Sequence, residues 1–118
     1  MRLALVSMVA ALLCSAQLPA QAPNTAPAGK ADNGKKLWVE RGCWECHGHV
    51  AQGGEGAAPR LAGRVPAWVP FTRALRRPTE QMIPYSAKML PDQEAADIYA
   101  WLKAIPQPRP VTSIPELK

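Results

Sequence analysis

The sequence predicts an all-α fold of three to four short helices, on three observations. Apolar residues recur at helical spacing in three separate segments, each ended by Gly or Pro; no run alternates apolar and polar residues as a half-buried strand would; and no internal repeat is visible. The chain has 118 residues, of which 47% are hydrophobic and 19% charged, enough for one domain and too little for a two-domain enzyme with a cofactor cleft. A domain this small buries roughly 60 to 70% of its unfolded surface. With only seven aromatics, a disulfide, metal or cofactor is expected to help fill the core.

The N-terminus comes first in this reading. Met1-Arg2 precedes an uncharged apolar run from Leu3 to Leu13, followed by the small-residue stretch Ala20-Gln21-Ala22. One basic residue, an apolar stretch too short to cross a bilayer comfortably, and a small-residue cleavage site predict a secretory signal peptide over residues 1–22. Cleavage is placed after Ala22, with Ala16 and Ala20 as alternatives and a retained membrane anchor as the competing interpretation. Cys14 lies inside this leader, and Leu13 before it lacks the small side chain of a lipidation signal. Export therefore reduces three cysteines to two, removing the puzzle of an odd count in a secreted protein.

Residues 23–31, rich in Pro, Ala, Asn, Thr and Gly, read as a flexible linker. The domain proper is expected over residues 32–106. Its first helix runs from Asp32, a capping residue, through Leu37, Trp38 and Arg41 to Gly42, which can close it in the left-handed region. Gly48 to Gly63 holds five glycines and no sustained period, so it is loop. A second helix is expected within Val65 to Arg77, where Trp68, Phe71 and Leu75 share a face; Pro70 is tolerable only in its first turn, and Pro78 stops it. The clearest helix spans Asp92 to Ile105, with Ala95, Ile98, Tyr99, Trp101 and Leu102 as its apolar stripe and Pro106 after it. Residues 107–118, carrying Pro108, Pro110 and Pro115, read as an extended, disordered tail of polyproline character.

Charge narrows the classes of partner. The 14 Lys and Arg outnumber the 9 Asp and Glu, but loss of Arg2 with the leader leaves 13 against 9, or +4. The basic residues are scattered except for Arg73, Arg76 and Arg77, and an exported chain rarely meets nucleic acid, so a nucleic-acid partner is excluded.

The chemistry concentrates in Cys43-Trp44-Glu45-Cys46-His47. Two cysteines separated by two residues and followed at once by histidine form the attachment pattern of c-type haem: both thiols add to the haem vinyl groups, and the adjacent imidazole binds iron. The alternatives are a zinc knuckle, for which only His49 remains as a further ligand, and a dithiol centre, which wants a βαβ context. Two propionates on one covalent haem would lower the charge to about +2. A second axial ligand has four sources in the mature chain: Met82, Met89, His49 or a lysine. His49 is too near His47 to reach the opposite face. Met89, one residue before Leu90-Pro91, reads as core filler. Met82 lies in the non-helical stretch Gln81-Met82-Ile83-Pro84-Tyr85, a loop able to wrap the far side, and is the favoured ligand.

These residues resemble the small class I bacterial cytochromes c, over about Asp32 to Ile105. Gly34, Leu37 and Trp38 look like that family's N-terminal helix, and Ile98, Trp101 and Leu102 like the C-terminal helix face that crosses it. Ala58-Pro59-Arg60-Leu61 resembles the family's Gly-Pro-x-Leu, which implies that the Pro59 carbonyl orients His47 through Nδ1. Met82-Ile83-Pro84-Tyr85-Ser86 resembles its axial-methionine loop, again favouring Met82. The chain departs from the pattern at Ala58, usually glycine, at Ile83, often proline, and at Pro91, where a Ser or Thr cap is common and where the helix either uses Asp92 as cap or simply begins at the proline.

The resemblance implies an all-α cytochrome c fold around one covalent haem c, with Cys43, Cys46, His47, Pro59 and Met82 as cofactor-binding residues and His47 and Met82 on iron. The function it implies is periplasmic one-electron transfer, as a shuttle or as the cytochrome subunit of a respiratory or dehydrogenase chain rather than as an enzyme in itself. Expected partners are a periplasmic dehydrogenase, a membrane oxidase or a cytochrome complex, with no stable membrane insertion of the mature form. A five-coordinate gas sensor or peroxidase-like protein is the alternative. Arg76, Arg77 and Lys88 are candidates for steering acidic partners to the haem edge, and Arg60 and Trp68 for holding haem propionates.

Overall fold

In the computed structural model, described for residues 24–54, 58–79 and 81–117, four α-helices follow one another: α1 (Ala31–Glu40), α2 (Cys43–His47), α3 (Trp68–Arg76) and α4 (Asp92–Ala104). Two 3-10 turns, Val111–Ser113 and Pro115–Leu117, end the chain. Among the described residues the only β pairing is a single bridge between Gly54 and Ala58, so the fold is all-α as expected. The expected signal peptide, residues 1–22 with Cys14, lies outside the described residues.

The helices are where periodicity places them, with ends set by local chemistry. Helix α1 begins one residue earlier than expected, after Lys30, and Asp32 lies within its first turn rather than capping it. A carboxylate there still favours the positive end of the helix dipole. Gly42 follows the helix at φ 73°, a conformation that costs little only for glycine, and the same residue opens α2. Helix α3 is shorter than the apolar pattern, starting at Trp68, which puts Pro70 in the first turn, where its missing N–H has no intrahelical role. Helix α4 starts directly after Pro91, and Asp92 makes no capping bond. It pairs instead with Arg76 at 2.5 Å, while Glu94 two residues on pairs with Arg41 at 2.6 Å.

Helices α1 and α4 make the main helix–helix contact. Leu37 and Trp38 from α1 and Ile98, Trp101 and Leu102 from α4 are buried, with Phe71 and Leu75 of α3, Tyr85 and Leu90 completing the core. Trp68, Phe71 and Tyr99 cluster with ring centroids 5.0 to 5.9 Å apart, and the Tyr99 hydroxyl donates to the Pro66 carbonyl at 3.0 Å, fastening α3 to α4. Gly34 is buried where the two main helices cross, and a Cβ there would run into the Asp97 backbone carbonyl.

The described part of the expected linker is held to this core. Asn24 Oδ1 accepts from the Val69 N–H at 3.0 Å, the Ala28 carbonyl from Gln93 at 2.8 Å, and the Lys30 N–H donates to Asp97 at 2.8 Å. Composition suggested a free tether because such hydrogen bonds come from residues distant in sequence. In the expected tail, residues 107–110 have no regular structure and are exposed, and Gln107 donates to the Gly63 carbonyl.

Asp97 is the buried charge of the crossing, only 4% exposed. Burial alone would raise its carboxyl. Hydrogen bonds from Asn33 (2.8 Å), the Lys30 backbone and Gln93 (3.2 Å) outweigh that and hold it below its ordinary value of 3.8.

Two substitutions test the crossing. Gly34→Ala is expected to destabilise the protein by about 3 kcal/mol in denaturant unfolding, since only backbone can yield to the added methyl. Asp97→Asn is expected to lose about 2 kcal/mol at neutral pH. A depressed carboxyl contributes stability above its unfolded value and loses it as pH falls through the folded one. The gap between wild type and Asp97→Asn should therefore close below pH 3.8; a gap independent of pH in acid unfolding would refute the assignment.

Candidate functional site

The turn from Gly42 into α2 presents Cys43, Cys46 and His47 within five residues. Cys43 is half-buried and Cys46 exposed, and the two thiols are not joined to each other. His47 is 9% exposed. Its Nδ1 lies 2.9 Å from the Pro59 carbonyl oxygen. A carbonyl only accepts, so this contact places the proton on Nδ1 and leaves the Nε2 lone pair free for a metal.

Backbone pairing between two loops makes that contact. The His47 carbonyl accepts from the Gly53 N–H at 2.8 Å, and the Ala51 carbonyl accepts from both Leu61 (3.0 Å) and Ala62 (2.8 Å). The Gly54 N–H reaches the Ala58 carbonyl at 3.2 Å. Pro59 thus sits in a stretch clamped on both sides to the loop that leaves α2. Ala51 is fully buried at φ 54°, a left-handed conformation that costs a non-glycine residue about 1 kcal/mol and persists only where its surroundings enforce it. On the α1 side, the Trp38 indole N–H donates to the Gly48 carbonyl at 3.0 Å, and its ring lies 5.8 Å from that of His47. The residue after the histidine is therefore fixed as well.

The thiols differ from those of a dithiol redox centre. Burial pushes Cys43 up to about 11, against weaker downward pulls from the Tyr85 hydroxyl and Arg41. A nucleophilic C-x-x-C cysteine needs the opposite shift. Tyr85 is pushed up to about 12 by its own burial and by the Cys43 thiol beside it. Among the described residues no three or more His, Cys, Asp or Glu side chains gather as a metal-ion site, so a zinc knuckle finds no complete ligand set there. His49 stacks on Trp44 with ring centroids 4.4 Å apart and planes 14° from parallel. Two unpaired thiols beside an imidazole with its Nδ1 engaged and its Nε2 free fit covalent haem.

The other sequence-predicted residues are placed less uniformly. Met82 is half-buried against the core, whereas Met89 is 53% exposed and Ile83 61% exposed. Arg76, a candidate for partner steering, is occupied: it bridges the Tyr85 carbonyl at 2.9 Å and the Asp92 carboxylate. Arg77 and Lys88 are exposed. Arg60 donates to the Ala62 carbonyl at 3.2 Å, and Trp68 packs in the aromatic cluster.

Sequence reasoning missed the roles of Asp97, of the Trp38–Gly48 bond and of Tyr85, whose hydroxyl donates to the Arg41 carbonyl at 2.7 Å. The one available signal was Asp97 itself, an acid on the buried stripe of α4.

No curated protein and no solved structure matches the chain. The family model described as cytochrome C oxidase, cbb3-type, subunit III matches residues 29–102, a span running from the segment in front of α1 almost to the end of α4. With the attachment pattern, the oriented histidine and the all-α crossing inside that span, the chain belongs to this family of c-type cytochrome domains and carries haem c as its cofactor.

Proposed function

We propose that this protein is a periplasmic one-electron carrier, a monohaem cytochrome with His47 and Met82 as axial ligands. It would serve as a soluble shuttle or as the cytochrome subunit of a respiratory or dehydrogenase chain. The family supports the coarser statement, a haem-based electron carrier or oxidase subunit. The observation that carries the His47 ligation within the finer one is the Nδ1 contact to the Pro59 carbonyl.

Bound haem supplies an iron centre that changes by one electron at a time. The chain's own groups do the rest. Cys43 and Cys46 tether the cofactor. His47, held by Pro59 at one nitrogen, offers the other to iron in a fixed orientation and with raised basicity. Met82 supports the ligand reading as the inward-turned methionine of its loop, Met89 being largely solvent-facing. A Met82 thioether on the iron would raise the reduction potential and would suit the site to passing electrons rather than to binding gas or peroxide.

Export is supported by the apolar leader and by the attachment pattern, and no helix of the described residues is long and apolar enough to cross a membrane. Arg77 and Lys88 are left to meet acidic surfaces on redox partner proteins.

The purified ferric protein is expected to show a methionine-to-iron charge-transfer band that disappears in Met82→Ala and survives in Met89→Leu. Its mass should exceed that of the polypeptide by one haem. Loss of the band in Met89→Leu alone would transfer the role to Met89, and rapid CO binding by the ferrous wild type would replace the carrier with a five-coordinate haem protein.

A further inference from the structure

Tyr85 is 6% exposed and is held at three points, two from the end of α3 and one from the turn between α1 and α2. Its N–H donates to the Leu75 carbonyl at 2.8 Å, near the end of α3. Its carbonyl accepts from Arg76 at 2.9 Å, and the same guanidinium is paired with Asp92 at the start of α4. Its hydroxyl donates to the Arg41 carbonyl at 2.7 Å, in the turn that separates α1 from α2. That turn is itself pinned, since Arg41 reaches Glu94 through Nε at 3.1 Å and Nη2 at 2.6 Å.

In sequence, Tyr85 stands three residues after Met82, and Arg41 two residues before Cys43. Between the clamp and Met82 lie only Ile83 and Pro84, and the proline ring removes one backbone degree of freedom. Three residues reach at most about 10 Å when fully extended, so a fixed Tyr85 restricts where the Met82 side chain can go. The hydroxyl bond therefore links the stretch that carries Met82 directly to the stretch that carries the thiols and His47. Packing of the ring alone does not need it, because the ring is already buried.

We infer that Tyr85 is a positioning residue: its hydroxyl, anchored on the Arg41 carbonyl, ties the Met82 loop to the haem-attachment turn and thereby resists displacement of Met82 from iron by outside ligands. This rests on the ligation proposed above. The bond governs how often the loop opens, and an exogenous ligand competing for the same position reads that frequency directly.

The test is titration of the ferric holoprotein with imidazole, followed at the main haem absorption band in every variant and also at the methionine-to-iron band where Met82 is present. Tyr85→Phe keeps the ring and removes only the hydroxyl, and is expected to tighten imidazole binding about fivefold to tenfold. In a Met82→Ala background, where nothing has to be displaced, adding Tyr85→Phe should leave imidazole affinity unchanged. Arg76→Gln, which loosens the same residue through its carbonyl, should shift affinity in the same direction and keeps the test available if Tyr85→Phe fails to accumulate with haem. Unchanged imidazole affinity in the Met82-containing variants, even with lowered stability, would make Tyr85 merely structural and overturn the inference. So would a shift that persists in the Met82→Ala background. A wild-type protein without the charge-transfer band refutes the ligation itself, an outcome visible before any Tyr85 variant is made.

Discussion

The close approach of α1 and α4 at Gly34 is the constraint on which the rest of the structure depends. A side chain there would collide with the Asp97 carbonyl, and because the obstacle is backbone, it cannot be avoided by a change of rotamer. The approach buries Asp97, and a buried carboxylate must find donors. It finds them in Lys30 and Asn33 from the approaching chain and in Gln93 one turn earlier on its own helix. The same contact turns Leu37 and Trp38 onto Ile98, Trp101 and Leu102. Trp38 and Trp101 meet at 5.2 Å between ring centroids. From that position the Trp38 indole reaches Gly48, so the helix crossing bears on the residue next to His47.

Electrostatics serve the same framework. The acidic first turn of α4 suits the helix dipole, but its two carboxylates are also tethers: Asp92 holds Arg76 from the end of α3, and Glu94 holds Arg41 from the end of α1. Both pairs are partly exposed, so their Coulomb energy is modest. Their value is geometric, since each arginine also lies in a hydrogen-bond chain that reaches Tyr85. Each pair occupies one basic and one acidic group, so fewer basic side chains are free than the count of Lys and Arg implies while the net excess is unchanged.

Much of this was legible in the sequence, and the parts that were not share a cause. Helical period, Pro and Gly punctuation and the C-x-x-C-H pattern are local signals, and they placed α1, α3, α4 and the attachment turn to within a few residues. The Pro59 contact was expected from the resemblance and is found in the structure, because a short motif with a fixed backbone path carries its own geometry. Asp32 reads as a cap but lies inside the first turn, and of the two starts open to α4 the structure has the one at Pro91, Asp92 being taken by an arginine 16 residues away. Asn24 and Lys30 read as tether because their partners, Val69 and Asp97, are 45 and 67 residues distant. Tyr85 was quoted only as part of a loop, since nothing in its neighbourhood announces a bond to residue 41.

The two sides of the site are built to different stiffness. Around His47 the backbone is over-determined: Pro59 on Nδ1, Trp38 on the following carbonyl, and Ala51 held in a conformation it would not choose, with two N–H groups sharing its carbonyl. Strain of that kind survives only if the surrounding bonds are collectively stronger than the residue's own preference. The Met82 stretch has no comparable enclosure. Ile83 is exposed where a proline would have stiffened the chain, and the fixed points lie beyond it, at Tyr85 and at Leu90, whose N–H returns to the Ser86 carbonyl at 2.9 Å. A backbone fixed on both sides of His47 keeps its imidazole in one orientation. The Met82 stretch therefore takes its position from Tyr85, three residues away, and from the turn at Leu90 beyond it, and of the two only Tyr85 is bonded to the attachment turn.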